Sequence, residues 1–172
     1  MISREFQIIE NHHPELLPLL FSAKKGNRIA QQKIADVYSL GMNGMTQDYI
    51  EAYKWYHLAA QQGSSHAQYC LGHLFYLGKG VSQNYLKAEK WWLMAAKQGL
   101  MVAQASLALL YYCNNGYIND LEKAEKWFKK AADQGDEMSR RISNVIKDIE
   151  FTDFWYEVTG EQREGETSEH TC

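Results

Sequence analysis

A period of 36 residues runs through the middle of this 172-residue chain. Three tryptophans mark it, and each is followed at the same offsets by an alanine pair and then by a glycine. These residues are Trp55, Trp91 and Trp127, with Gly63, Gly99 and Gly135 after them. A fixed period of this length indicates a repeat protein in which each unit is one supersecondary element. Such a unit cannot bury its apolar face alone, so the period predicts a stack of units.

Each unit is predicted to be a hairpin of two helices. In the middle unit, Ala67, Leu71 and Phe75 recur every four residues, the spacing of one helix face. A glycine-rich turn follows, and the second helix then begins at a residue suited to cap its first turn. These caps are Asp48, Asn84 and Asp120. Small residues let two helices approach while a large aromatic side chain fills the gap, so Trp91 is expected to be buried in the core.

The predicted fold class is therefore all-α, a solenoid of stacked helix-turn-helix repeats. The predicted organisation is a degenerate N-terminal capping hairpin (1–25), three repeats within 26–135 (26–62, 63–98 and 99–134), a long C-terminal capping helix (136–158) and an acidic disordered tail (159–172). The capping helix follows from a helical period of apolar residues that continues after Gly135. The polar composition of the tail favours disorder.

The charge distribution gives no support to nucleic-acid binding. Segment 157–172 holds five glutamates against one arginine, a net charge of −4, so the rest of a chain whose total is −3 carries +1. A nearly neutral body lacks the basic surface that attracts a phosphate backbone. We therefore expect no nucleic-acid partner.

Targeting signals and cysteine usage favour the cytoplasm. No stretch approaches membrane-spanning length, and segment 1–20 lacks the uninterrupted apolar run of a signal peptide. The cysteines are Cys70, Cys113 and Cys172, and their spacing does not follow the repeat, which argues against a disulfide within each hairpin. We expect a cytoplasmic protein with no membrane partner.

The repeat unit resembles the Sel-one-like repeat, a relative of the tetratricopeptide repeat. The shared pattern is A-x3-[LI]-[GA]-x2-[YF]-x2-G followed by A-x2-W-[YWF]-x2-A-A-x-Q-G. It occurs at 30–63, at 67–99 and, with Asn114 in place of the turn glycine, at 103–135. The resemblance implies a right-handed α-solenoid, common in bacteria, that serves as a non-catalytic adaptor or scaffold for protein–protein interaction. It implies no catalytic residue and no cofactor, and it does not identify the partner.

The first helices of such a fold line its concave groove, so their residues outside the packing stripe are candidates for partner contact. We expect a protein or peptide partner there, because Tyr side chains on a rigid helix give a large contact area. The candidate residues are Gln32, Asp36, His66, Tyr69, His73, Tyr76, Leu109, Tyr112 and Arg141. The alternative is that this stripe is the solvent face that every amphipathic helix presents.

Local spacing predicts neither a metal site nor a catalytic site. His66 and His73 lie two helical turns apart, roughly 10 Å, which one metal ion does not bridge. Ser64 and Ser65 beside His66 suggest a nucleophile and a base, but they stand at a helix start, where serine is an ordinary cap. Residues distant in sequence could still converge, so an enzyme such as a hydrolase is kept as an alternative.

Two further alternatives concern the role and a second surface. Beside the adaptor role, the chain suits a cytosolic inhibitor or immunity-type protein that blocks one toxin or enzyme. The C-terminal helix also carries four aromatic side chains that cannot all be buried on one side of it. They are Phe151, Phe154, Trp155 and Tyr156. This cluster predicts either a helix that folds back on the last repeat or an apolar patch for self-association or a partner.

Overall fold

The structure is a computed structural model that describes residues 13–113 and 120–159, with side chains as far as residue 148. The described residues form eight α-helices and no β-strand. In chain order the helices are α1 (Leu17–Lys24, after a 3-10 turn at Pro14–Leu16), α2 (Arg28–Leu40), α3 (Tyr49–Gln61), α4 (Ser65–Leu77), α5 (Tyr85–Lys97), α6 (Met101–Tyr112), α7 (Leu121–Asp133) and α8 (Glu137–Thr159). The predicted all-α class is confirmed.

The chain divides into two compact units, one ending at Gln98 and the other beginning at Gly99. In the first unit α2 packs on α3 and α4 on α5 as hairpins, α1 packs on α2, and α3 packs on α4. In the second unit α6 packs on α7, and α7 packs on α8. Each unit is therefore a stack of helices that are neighbours in sequence, as a repeat protein requires.

The core of each unit combines large aliphatic or aromatic side chains with small ones. Leu20, Ile34 and Leu71 are fully buried in the first unit, and Leu107, Phe128 and Ile146 in the second. Most of the alanines that recur with the repeat are also buried, which lets neighbouring helices approach closely. The burial follows the helical period read from the sequence.

The helix ends confirm the predicted caps. The Asp48 carboxylate accepts hydrogen bonds from the backbone N–H groups of Ile50 and Glu51. Asn84 and Asp120 each cap their helix in the same way. At the other end of the second helices, Gly63, Gly99 and Gly135 have φ values of 84°, 88° and 102°, a left-handed conformation that closes a helix and that glycine adopts without strain.

The pair Gly72 and Trp92 shows why the repeat needs a small residue on its first helix. A Cβ atom placed on Gly72 would lie 2.3 Å from Cδ1 of Trp92, so the indole occupies the space of a side chain. Trp92 is 3% exposed, whereas Trp91 is only partly buried and packs edge-on against His57. The expectation for Trp91 is therefore wrong, because the second ring of this pair, and not the first, fills the core of the hairpin.

Buried glutamines link successive helices in a way that the apolar patterns did not reveal. The Gln68 amide donates to the carbonyl of Ala60 at 3.2 Å and accepts from Gln98 Nε2 at 2.7 Å. Gln31 makes the same pair of hydrogen bonds, to Ala23 and from Gln62. In the second unit Gln104 accepts from Gln134 at 2.7 Å. Because buried polar groups need partners, these amides fix the spacing of the helices they join.

Three predicted segments lie outside the described residues: the first helix of the N-terminal hairpin (2–11), the turn at 114–119, and the tail from 160 onward. The domain boundaries given above stay a prediction. The long helix expected after Gly135 is observed as α8.

Candidate functional site

Four polar side chains from three helices meet on one side of the first unit, and we call them the α2–α4 cluster. They are Asp36 on α2, Tyr56 on α3, and His66 and Cys70 on α4. The His66 Nε2 atom lies 3.2 Å from Asp36 Oδ1 and 3.5 Å from Cys70 Sγ. The Tyr56 hydroxyl donates to the same Asp36 oxygen at 2.7 Å.

The local fold explains why these side chains converge. His66 and Cys70 are four residues apart, so they lie side by side on one face of α4. The start of α4 is tied to α2 by Ser64, whose hydroxyl donates to Gln32 Oε1 at 2.8 Å. Ser64 also accepts from the backbone N–H of Ala67 and so caps the helix. These two contacts of Ser64 hold the first turn of α4 next to α2, which carries Asp36.

The cluster strongly favours a positive charge on His66. The hydrogen bond to Asp36, and after it the one to Cys70, raise the pKa of His66 to about 10. Burial, followed by the nearby Cys70 and Asp36 groups, raises the pKa of Tyr56, so its hydroxyl stays protonated. His66 is about half exposed, with a side-chain exposure of 48%, and Asp36 is less exposed at 26%. The cluster is therefore polar, charged and reachable from solvent.

A cavity of about 520 Å³ opens beside the cluster. Asp36, Tyr56, His66 and Cys70 all line it, together with apolar residues such as Leu19 and Met42 and with Lys33. The ligand atoms of Asp36, His66 and Cys70 lie within 4.8 Å of one another, close enough to share one metal ion. A carboxylate, an imidazole and a thiol are all metal-binding groups.

A second group of predicted residues, Tyr69 and His73, lies further along α4. Their ring centroids are 6.3 Å apart, and both line a cavity of about 300 Å³ with Tyr49, Tyr56 and Lys79. Burial, and after it the positive charge of Lys79, lower the pKa of His73. His73 is therefore neutral at physiological pH and can both donate and accept a hydrogen bond.

Two other predicted residues of the first unit, Gln32 and Tyr76, make contacts within the fold. Gln32 accepts from Ser64, as described above. Tyr76 is partly buried and lies 5.3 Å from Trp92 and 5.4 Å from Tyr85, measured between ring centroids. Tyr76 is thus chiefly part of the α4–α5 packing, and it offers less free surface than Tyr69.

The predicted residues of the second unit present a different surface. Leu109 is 41% exposed, and Arg141 is exposed with its Nε 3.6 Å from a Glu137 carboxylate oxygen. Tyr112 is partly buried and packs edge-on against Phe128. The side chains of the aromatic cluster at 151–156 lie outside the described ones. Whether any of these residues contacts a partner stays a prediction.

Sequence reasoning missed two members of the α2–α4 cluster, Tyr56 and Cys70. Tyr56 stands at the [YWF] position of the repeat pattern, which indicates core packing, and the spacing of Cys70 from the other cysteines bears only on disulfide bonds. The spacing His66-x3-Cys70 was the available signal, since two metal-binding side chains four apart share a helix face. The approach of Asp36, thirty residues earlier, requires the three-dimensional structure. Cys70 is a free thiol, whereas Cys113 is disulfide-bonded.

Comparison with known families and structures agrees with the repeat pattern. Residues 28–64, 65–100 and 102–136 each match the family model described as Sel1 repeat, and together these segments make up more than half of the chain. Among curated proteins, none matches this chain. None of the helices in the described part of the chain is long and apolar enough to cross a lipid bilayer.

Several solved structures are similar to this chain. One is a protective antigen present in uropathogenic Escherichia coli strains that displays an SLR fold, with 34% identity over 74% of this chain, 27% of that chain and a TM-score of 0.70. This chain thus spans about a quarter of that antigen. A Sel1 repeat protein from Oxalobacter formigenes has 32% identity over 76% of this chain and 98% of its own, with a TM-score of 0.67. Cysteine-rich protein B from Helicobacter pylori, with 17% identity over 81% of this chain and 97% of its own and a TM-score of 0.57, shares the fold.

Proposed function

Because the chain belongs to the Sel1 repeat family, we propose that it is a non-catalytic adaptor that binds a protein or peptide partner through the first helices of its N-terminal unit. Repeats of this family generally serve as protein–protein interaction modules, and the family is typically a non-catalytic scaffold. The observation that carries the proposal is the surface around Tyr69 and His73, where half-buried aromatic groups border an open cavity.

The chemistry of this cavity suits a peptide segment. Tyr49 and Tyr69 provide rigid rings for contact. The Lys79 ammonium donates to the Tyr49 hydroxyl at 3.3 Å and lies 5.0 Å from the centre of that ring. Rigid aromatic side chains lose little conformational entropy on binding and are enriched at interfaces. The neutral His73 adds a hydrogen-bonding group without a charge that must be desolvated. We infer that a partner inserts an apolar or aromatic side chain here.

The hydroxyl of Ser64 supports a binding module over a hydrolase. It donates to Gln32 and caps α4, so its hydrogen-bonding capacity already serves the fold. A serine nucleophile instead needs a base that accepts its proton. The inhibitor or immunity-type alternative uses the same surface and differs only in the effect on the partner: the partner's own activity falls on binding.

The proposal can be tested with a matched pair of double variants. Tyr69→Ala/His73→Ala removes a Tyr-x3-His pair from first helix α4, and Tyr53→Ala/His57→Ala removes the same pair from second helix α3, where the two rings lie 5.8 Å apart. We expect a partner captured by the wild-type protein to be lost by the first variant and kept by the second. Circular dichroism must show that both variants are folded. Equal capture by all three proteins would exclude this surface.

The exposed apolar residues of the second unit are a separate proposed contact area. Val102, Leu109, Met138 and Val145 are each more than 40% exposed. The alternative for the C-terminal part of the chain is self-association through the aromatic cluster at 151–156. Light scattering of the wild-type protein and of a Phe154→Ser/Trp155→Ser variant distinguishes the two, because only self-association makes the wild-type mass a multiple of the chain mass.

The cytoplasmic location is part of the same proposal and is tested by cell fractionation. The nearly neutral body supports the absence of a nucleic-acid partner, because binding to a phosphate backbone relies on clustered positive charge. The disulfide bond of Cys113 is an observation against this location, because disulfide bonds are rare in the cytosol. Recovery of the protein in a periplasmic or secreted fraction would contradict the cytoplasmic location.

A further inference from the structure

We propose that Asp36, His66 and Cys70 form a binding site for a zinc ion. The three side chains come from α2 and from adjacent turns of α4, and each offers one ligand atom. The proposal does not rest on partner binding, since its ligands are not the residues tested above. This site differs from a zinc site formed by His66 and His73, because those two histidines are too far apart along the helix to bind one ion.

The distances between the ligand atoms carry this inference. Zinc holds nitrogen, oxygen and sulfur at about 2.0–2.3 Å in a tetrahedral arrangement, so two of its ligands are separated by roughly 3.3–3.8 Å. The His66 Nε2 atom lies 3.2 Å from Asp36 Oδ1 and 3.5 Å from Cys70 Sγ. All three ligand atoms lie within 4.8 Å of one another. Small side-chain rotations therefore bring them around one ion, with the helices left where they are.

The identity of the ligands favours zinc over the hard cations. Calcium and magnesium prefer sites made of oxygen atoms alone. A set of one nitrogen, one sulfur and one oxygen is typical of zinc and of related transition metals, and zinc has no geometric preference that conflicts with a tetrahedron. Coordination of both side chains to a zinc ion would replace the direct contact between His66 and Asp36.

The surroundings complete the site. Tyr56 is 3% exposed, and its hydroxyl holds the Asp36 carboxylate at 2.7 Å, which is the kind of outer contact that orients a metal ligand. The cavity of about 520 Å³ borders all three ligands, which gives an ion an entry path. Three protein ligands and one open position leave room for a water molecule or for one more side chain.

The fold itself does not demand these side chains. The positions that match His66 and Cys70 one repeat later hold Val102 and Ser106, and two repeats later they hold Met138 and Ile142. The residues that recur in every repeat are the glycines, the alanines and the aromatic pairs. At the positions of His66 and Cys70, the two later repeats thus place apolar or small groups instead of a metal-binding imidazole and thiol.

The test uses cobalt as a spectroscopic probe for zinc. The full chain, freed of metal with a chelator, is titrated with Co²⁺, and we expect one equivalent to give a thiolate-to-cobalt charge-transfer band and intense visible bands typical of four-coordinate cobalt. Zinc should then displace the cobalt. Calorimetry with Zn²⁺ should give one site, weakened at least about 100-fold by Cys70→Ser or His66→Ala, and less by Tyr56→Phe.

His73→Ala is the matched control, because it removes a histidine from the same helix that is not a ligand. It should keep the charge-transfer band and the zinc affinity, and circular dichroism should show all variants helical. A wild-type protein that gives no band, or a band that survives in Cys70→Ser, would overturn the proposal. A thiol at Cys70 that reacts rapidly with a disulfide reagent in a protein that binds no metal would instead mark a reactive cysteine.

Discussion

The two units carry opposite chemistry at equivalent positions. In the first unit the α2–α4 cluster is formed by Asp36, Tyr56, His66 and Cys70. Two repeats later, the same positions of the second unit hold Leu109, Phe128, Met138 and Ile142. Only the ring on the second helix is common to both sets, and in both units it is buried, with Tyr56 3% and Phe128 1% exposed.

This comparison separates what the fold requires from what is added to it. The second unit has apolar side chains at these positions, of which Leu109 and Met138 are exposed, so the helices stack there without a carboxylate, an imidazole or a thiol. The buried ring is needed, since each hairpin uses one to fill the space between its helices. Polar groups that the architecture can do without are better explained by a ligand than by packing.

The largest effect on stability is expected at the buried ring, the feature that the two units share. Phe128→Ala should lower the free energy of unfolding by about 3–5 kcal/mol, because it removes a fully buried ring and leaves a cavity. Leu109→Ala, one of the positions where the units differ, should change it by less than about 1 kcal/mol, since that side chain is 41% exposed. Urea denaturation followed by circular dichroism measures both values.

A similar loss for the two variants would break the comparison. It would show that Leu109 is part of the packing of the second unit, so that the positions where the units differ could no longer be separated from the packing positions. The comparison between a buried and an exposed position in one unit avoids any effect of differences between the units.

A smaller effect tests the residue that faces the ring. The first helices carry Ala35, Gly72 and Ala108 at this position, and the glycine faces the largest ring, Trp92. Gly72→Ala should destabilise the protein by about 1–3 kcal/mol, because its Cβ would lie 2.3 Å from the indole and both must shift. This loss appears although alanine is the better helix former.

The matched variant is Gly72→Ala combined with Trp92→Tyr, which gives this hairpin the alanine and tyrosine that the preceding repeat has at 35 and 56. If the size of the ring decides the residue, the double variant should be more stable than expected from the sum of the two single changes. Simple additivity, measured by urea denaturation, would mean that the glycine serves another purpose.

The repeat architecture could be predicted from the sequence because its causes are local. Caps such as Asp48, the glycines that close helices and the apolar spacing of α4 all depend on residues within one hairpin. The register also placed Asp36 and His66 on one stripe. Their contact depends on two different hairpins, and the deeper burial of Trp92 than of Trp91 depends on packing against another helix, at Gly72. Neither is fixed by spacing alone.

The smallest expected effect is the pH dependence of stability that the charge of His66 causes in the first unit. The pKa of His66 is raised to about 10 in the folded protein from about 6.5 in an unfolded chain. A histidine with a raised pKa stabilises the folded state fully below the unfolded value, and this contribution is lost as the pH rises through the folded value. In metal-free protein, wild type should therefore be more stable than His66→Asn at pH 6, and this advantage should disappear toward pH 10.

The size of this advantage should stay below about 1 kcal/mol, because the ion pair with Asp36 is half exposed to solvent. Met138→Asn is the control, since it introduces the same new residue at the equivalent position of the second unit, where no ionisable group is replaced. Its effect on stability should be the same at both pH values. The opposite result is a stability difference between wild type and His66→Asn that is constant with pH or grows as the pH rises. It would mean that His66 stabilises the first unit by packing and not by its charge. The electrostatic contrast between the two units would then be lost.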